Sequence, residues 1–274
     1  MPTSPTTPQT FAARLRAETS GHGTAWIALG NGLGTTRSTW RHVLPTLERV
    51  ARVLRYDYVG TVQGDEHQWD PRRYASLHGL ADDLLGLLDE LNLPPITWIG
   101  HSVGGMVGLL AAVAAPSRFA RLILLGASPR YVNDESYHGG FTAEDVDIIV
   151  AAASEDLHRW VSGFEPVMLG SASLPSHAEA FTAHLQSVRP DIAAQLVSMV
   201  FKGDHRGVLP RVAVPVDVVQ LEDDATVPHT VADFLVSQLP QARLIPLRVR
   251  GPVPHLTAPE ATAALLLELL EAAP

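Results

Sequence analysis

The chain has 274 residues, 46% of them hydrophobic, and carries a formal net charge of −9, so it can bury a sizeable core as one large α/β domain or two smaller ones. Its acidic balance, with no long basic run, argues against a nucleic-acid partner, because such partners need clustered Lys and Arg to displace counterions. The absence of cysteine excludes disulfides, thiolate metal sites and a cysteine nucleophile.

The opening "MPTSPTTPQT" is polar, rich in Pro and Thr, and lacks an apolar signal core. Residues 1–10 read as a flexible tail of a cytoplasmic protein. "FAARLRAE" and "TAWIALG" follow, then a helical "STWRHVLPTLERV" and the apolar "ARVLRYDYV". "YASLHGLADDLLGLLDELN" sets Leu77, Leu80, Leu84, Leu87 and Leu88 on one face of an amphipathic helix. Next come the strand-like "ITWIG", a small-residue helix from Ser102 to about Ala114, and "ARLILLGA". The end of the chain repeats the scheme with "VPVDVVQL", a helix near 229–238, "ARLIPLRV" and a last helix from Pro259 to Ala272. This alternation predicts an α/β fold with a parallel sheet covered on both faces. No segment, "LILLGA" included, is long enough to span a bilayer, so no membrane association is expected.

Between "LILLGA" and "VPVDVVQL" the alternation stops. Residues 130–208 predict helices at Thr142–Ala153, Leu157–Met168, Ser176–Gln186 and Asp191–Phe201 and no strand. An all-helical insertion cannot join the sheet, so it is expected to lie across one end as a lid. The core is then residues 11–129 and 209–274.

The chemistry concentrates in "WIGHSVGGMVG", where Gly100-His101-Ser102-Val103-Gly104 stands between a strand and a helix. A G-x-S-x-G in that setting is a nucleophile elbow, which lifts the serine hydroxyl above the sheet beside the free amides of a helix start. The glycine-rich "GNGLGTTRSTW" after the preceding strand offers an amide, from Leu33, to an oxyanion hole shared with Val103. "LEDDATVPHT" follows a late strand, where either Asp223 or Asp224 would orient a histidine. No compact His/Asp/Glu spacing suggests a metal, and no cofactor is expected.

These motifs, with "RRYASL", "DDLLGLLDEL", "RLILLGASPRYVNDESYHGGF", "GFEP", "RPDIA" and "RGVL", resemble the α/β-hydrolases, specifically the strigolactone and karrikin receptors of plants and their bacterial stress-regulator relatives. The resemblance runs nearly end to end. It implies a mostly parallel eight-stranded sheet, a four-helix lid over a hydrophobic pocket, and Asp224 as the acid of a Ser-His-Asp triad. It also exposes two departures. The family's histidine motif, roughly Gly-His-x-Pro-His/Gln, reads here Gly251-Pro252-Val253-Pro254-His255, so proline holds the catalytic position. Asn31 replaces the histidine of the family's oxyanion turn.

Catalysis by Ser102 needs an imidazole within hydrogen-bond reach, with its other nitrogen held by Asp224. His255 stands three residues beyond the expected place, and the flanking prolines could turn it inward or fix it away. His101 is expected to face the packing and His229 to begin a helix. An enzyme acting on a small hydrophobic metabolite (ester, lactone or polyketide-like) is the favoured reading. Its incomplete triad suits weak hydrolysis or cyclisation, elimination or isomerisation. The alternatives are a serine hydrolase using His255, a ligand-binding sensor whose lid presents a surface to a protein partner, and a scaffold without chemistry. Candidate pocket residues are Leu33, Asn31, Phe141, Trp160, Phe164, Met168 and Val200, with Ser102 at the floor.

Overall fold

The computed structural model describes residues 9–170 and 175–272; residues 1–8 of the expected tail lie outside it. Helix α1 (Phe11–Arg14) comes first, followed by β1 (Glu18–Gly21), β2 (Trp26–Gly30), α2 (Leu44–Leu47) and β3 (Arg52–Arg55). Then come α3 (Leu77–Glu90), β4 (Ile96–His101), α4 (Val103–Ala114) and β5 (Phe119–Leu125). Four helices intervene before the sheet resumes: α5 (Ala143–Glu155), α6 (Leu157–Leu169), α7 (Pro175–Ser187) and α8 (Pro190–Phe201). The chain closes with β6 (Val216–Asp223), α9 (His229–Gln238), β7 (Ala242–Arg250), α10 (Pro254–Thr257) and α11 (Pro259–Glu271).

The sheet order is β1-β3-β2-β4-β5-β6-β7, parallel throughout except for the antiparallel edge pair β1–β3. Among the described residues it has seven strands, not the expected eight. "FAAR" winds into α1. Its amides are taken by side chains: Ala13 N donates to Thr10 Oγ1, and Phe11 N and Ala12 N donate to the Glu90 carboxylate at 2.6 and 2.9 Å. Capping at both sequence-near and sequence-distant acceptors makes one turn of helix viable where periodicity alone is silent. The helical expectations for 130–208 agree with α5 to α8 within a few residues, and the isolated bridges in that stretch pair with one another outside the sheet.

Strands β4 and β5 are buried on both faces, which explains why "RLILL" reads as a continuous apolar run. Helix α3 buries the whole predicted leucine stripe in the same core, packed on α4. Helix α4 packs closest of all. The Trp98 indole of β4 lies flat under it and donates to the Gly104 carbonyl at 3.0 Å. A methyl on Gly108 would lie 2.0 Å from Trp98 Nε1, so only glycine permits this approach. Gly108→Ala is expected to cost about 3 kcal/mol in urea denaturation, the upper end of overpacking penalties. Gly207→Ala, whose methyl meets nothing within 4 Å, should stay near wild type; equal stabilities for the two variants would refute this account of the packing.

Candidate active site

Ser102 stands between β4 and α4 with φ 51° and ψ −123°, a left-handed backbone that a side-chain-bearing residue adopts only under constraint. The constraint is close packing on both sides. A methyl on Gly100 would fall 2.5 Å from the Gly104 carbonyl oxygen, and one on Gly104 would fall 2.6 Å from the Gly30 backbone. Ser102 N donates to the Leu125 carbonyl at 2.9 Å, which pins the turn to the end of β5. The glycine turn after β2 closes over the other side, where a methyl on Gly32 would meet Ser102 Cβ at 3.4 Å. The expected elbow geometry is therefore present, and the Leu33 and Val103 segments flank it.

A small cavity opens directly onto Ser102, walled by Leu33, Tyr131, Met168 and Val200 and by Phe164, Phe201 and Thr226. Its volume is about 10 Å³, room for one water-sized group. The last three residues also wall a larger apolar cleft of about 490 Å³ between α5 and α6, lined by Phe141, Ile149, Trp160 and Val167 with Glu155, Asp156 and Arg159 also lining it. Trp160 and Phe164 stack there with centroids 4.6 Å apart. Helix α6 carries Gly163 and Pro166 among these wall residues. Thus Leu33, Phe141, Trp160, Phe164, Met168 and Val200 all line one compartment or the other.

The choice between the two aspartates has a plain geometric basis. Asp223 is exposed and pairs with Arg250 across the β6–β7 edge at 3.1 Å. Asp224 is turned inward, where a methyl on Gly126 would lie 3.1 Å from its Oδ2. Its Oδ1 accepts from Thr226 N at 2.8 Å, Thr226 Oγ1 at 2.7 Å and Val227 N at 3.1 Å. Burial raises its pKa, and these three donors oppose the rise.

The histidines lie elsewhere. His255, on α10, is fully buried and stacks on Trp40 with centroids 4.0 Å apart and planes 16° apart. Thr39 Oγ1 donates to the Thr36 carbonyl, so at 3.3 Å it accepts from His255 Nε2. His255 is not among the residues lining either compartment: α10 starts at Pro254 and places its ring in the core against Trp40. His101 Nε2 donates to the Pro252 carbonyl at 2.8 Å, and His101 packs edge-on against His255 at 4.7 Å. His229 donates to the Glu222 carbonyl at 3.1 Å and opens α9. Asn31 lies in the core as well. Its amide donates to the Tyr56 carbonyl at 2.7 Å and accepts from Trp40 Nε1 at 3.2 Å, so it is consumed in the core and reaches neither compartment. Among the described residues no group of three or more His, Cys, Asp or Glu is arranged to hold a metal ion, and no helix is long and apolar enough to cross a membrane.

The sequence pattern of the alpha/beta hydrolase fold matches residues 26–257. The chain belongs to that family. A karrikin insensitive 2 receptor of Petunia hybrida is 36% identical over 248 residues, covering 90% of each chain. A strigolactone esterase of Arabidopsis thaliana is 37% identical over 257 residues, covering 93% of this chain and 96% of its own. A hydrolase of Oleispira antarctica superposes with a TM-score of 0.92 at 24% identity, covering 96% of this chain and 97% of its own, a likeness of fold.

Tyr131, Phe201 and Thr226 escaped the sequence reading. The first stands in "SPRYVND", a stretch that carries the resemblance without marking which side chain turns inward. Tyr131 is buried, lines the small cavity together with Ser102, and its pKa is raised to about 12, chiefly by burial.

Burial also lowers the pKa of His101 to about 4 and that of His255 well below its usual value. A histidine held neutral in the fold but free to charge when unfolded stabilises fully above about pH 6.5. That contribution is lost as pH falls from there toward the folded pKa. For His101 the loss is about 2 kcal/mol by pH 4.5. His101→Gln, which keeps a donor toward Pro252, should therefore lose less stability than wild type between pH 7 and 4.5 in paired urea titrations. Parallel losses would show that His101 does not titrate as described.

Proposed function

We propose that this protein is an enzyme of α/β-hydrolase fold that acts on the carbonyl of a small hydrophobic ester, lactone or polyketide-like metabolite. Weak hydrolysis or a non-hydrolytic cyclisation, elimination or isomerisation is the expected chemistry. The observation that carries this reading is the strained Ser102 facing an apolar cavity while the Nε2 atoms of His101 and His255 are each engaged by a core partner. The elbow and its flanking amides can stabilise developing negative charge on a carbonyl oxygen, and an oxyanion hole retains a large part of catalysis when triad members are removed. Among the described residues no histidine hydrogen-bonds Ser102 to take its proton. The helices α5 to α8 serve as the lid, and Leu33, Phe141, Trp160, Phe164, Met168 and Val200 as the apolar substrate walls.

The sensor reading draws on the same feature, because a pocket that turns over slowly holds its ligand. The names of the plant relatives pair both roles, receptor in one and esterase in another. Turnover of a carbonyl substrate separates the readings.

Aryl-ester hydrolysis by the wild type is expected to be slow, with poor labelling of Ser102 by a fluorophosphonate. Pro252→His should raise kcat/KM for the ester by ~10²-fold, the low end of what a general base contributes, through Ser102 and Asp224. The gain should vanish in Pro252→His combined with Ser102→Ala. Brisk labelling of the wild type, abolished by His255→Ala, would sink the proposal in favour of an ordinary hydrolase.

A further inference from the structure

Tyr131 is the one polar side chain in the small cavity besides Ser102 and Thr226, and Thr226 has already spent its hydroxyl on Asp224. The ring is held rigidly. Its centroid lies 4.9 Å from that of Phe201 and 6.2 Å from that of Phe141. Its backbone is fixed too, since Phe141 N donates to the Tyr131 carbonyl at 3.1 Å. Gly139 permits that approach, because a methyl there would lie 2.6 Å from the same carbonyl. Two hydroxyl-bearing side chains thus border one cavity with room for one oxygen-sized group, while the cleft beyond is large and apolar.

We propose that the Tyr131 phenol and the Ser102 hydroxyl are paired donors to a single substrate oxygen, which makes the cavity a receptor for the oxyanion or enolate of a carbonyl compound. The proposal rests on the reading above that a substrate carbonyl enters this cavity. A ligand oxygen seated in that cavity receives a hydrogen bond from each hydroxyl. Burial keeps the phenol protonated, so it serves as a donor across the neutral range and not as a base. Negative charge on the ligand oxygen strengthens both bonds, because hydrogen bonds to an ionised acceptor are about twice as strong as neutral ones. The preferred ligand class is then a β-dicarbonyl or comparably acidic enol with an apolar body for the cleft. Such a compound loses its proton to water before entry and arrives as the anion, whose oxygen Ser102 and Tyr131 hold. Ser102 acts here without forming a covalent bond.

The test uses 4-nitrophenol, whose ionised form is coloured, and 4-nitroanisole, which has the same ring without an ionisable oxygen. Binding of each is measured to the full chain and to Tyr131→Phe and Ser102→Ala. The wild type should bind the phenolate more tightly than the anisole and lower the pKa of the bound phenol. Tyr131→Phe should weaken phenolate binding roughly 10-fold or more, the range for a hydrogen bond to a charged group, and raise the bound probe's pKa by about one unit. Anisole binding should not change. Equal losses for both ligands, or no loss for either, would overturn the donor role of Tyr131. Ser102→Ala removes the other donor without touching the aromatic wall, and absence of a phenolate-specific loss there overturns the pairing. A wild type that binds neither ligand overturns the pocket reading itself. Binding of phenolate that is indifferent to Tyr131→Phe leaves that reading standing and removes only this proposal.

Discussion

One buried hydrogen bond, from the His101 imidazole to the Pro252 carbonyl, joins the turn that carries Ser102 to the loop after the last strand. It is made by the neighbour of the serine in sequence, and it draws the β7–α10 connection against the sheet. Every residue type offers a backbone carbonyl, so the bond does not depend on which side chain occupies position 252. A proline there removes an imidazole and leaves the frame intact. The neutrality of His101 belongs to the same arrangement, since burial between the Gly32 turn and His255 disfavours a second proton.

The turn that carries Asp224 is equally self-sufficient. Asp224 receives all three of its hydrogen bonds from the turn that follows it, so its carboxylate is oriented by local backbone and not by a histidine. This is the geometry of an Asx turn, which persists because it closes the β6–α9 connection. The elbow is strained, Asp224 is held by its own turn and the cavity is walled, while among the described residues no histidine hydrogen-bonds Ser102.

Much of this was legible in the residues because it rests on local patterns. The leucine stripe of α3 and the helices between residues 142 and 201 follow from periodicity, and the elbow follows from small residues at a strand-to-helix junction. Asp224 was separated from Asp223 by resemblance, and the inward turn of its side chain agrees. What failed depended on contacts distant in sequence. The helix at Phe11 owes its turn to Glu90, 79 positions away. His255 is held by Thr39, 216 positions away, and Asn31 by Tyr56 and Trp40. Tyr131 reaches the cavity because Phe141 and Gly139 fold back on it, a register that no periodicity encodes.

Helix α6 deserves a mechanical description. Phe164, part of the neck between the two compartments, sits in the turn bounded by Gly163 and Pro166. Proline at 166 has no amide to give the Ser162 carbonyl, and glycine is the costliest residue after proline in a helix interior. The turn bearing the neck is therefore among the least cohesive in its own helix, while the opposing wall at Phe201 is anchored in the buried face of α8. Phe164 and Phe201 border both compartments, so the boundary between the outer cleft and Ser102 sets a turn of weak helix propensity against a face fixed in the core.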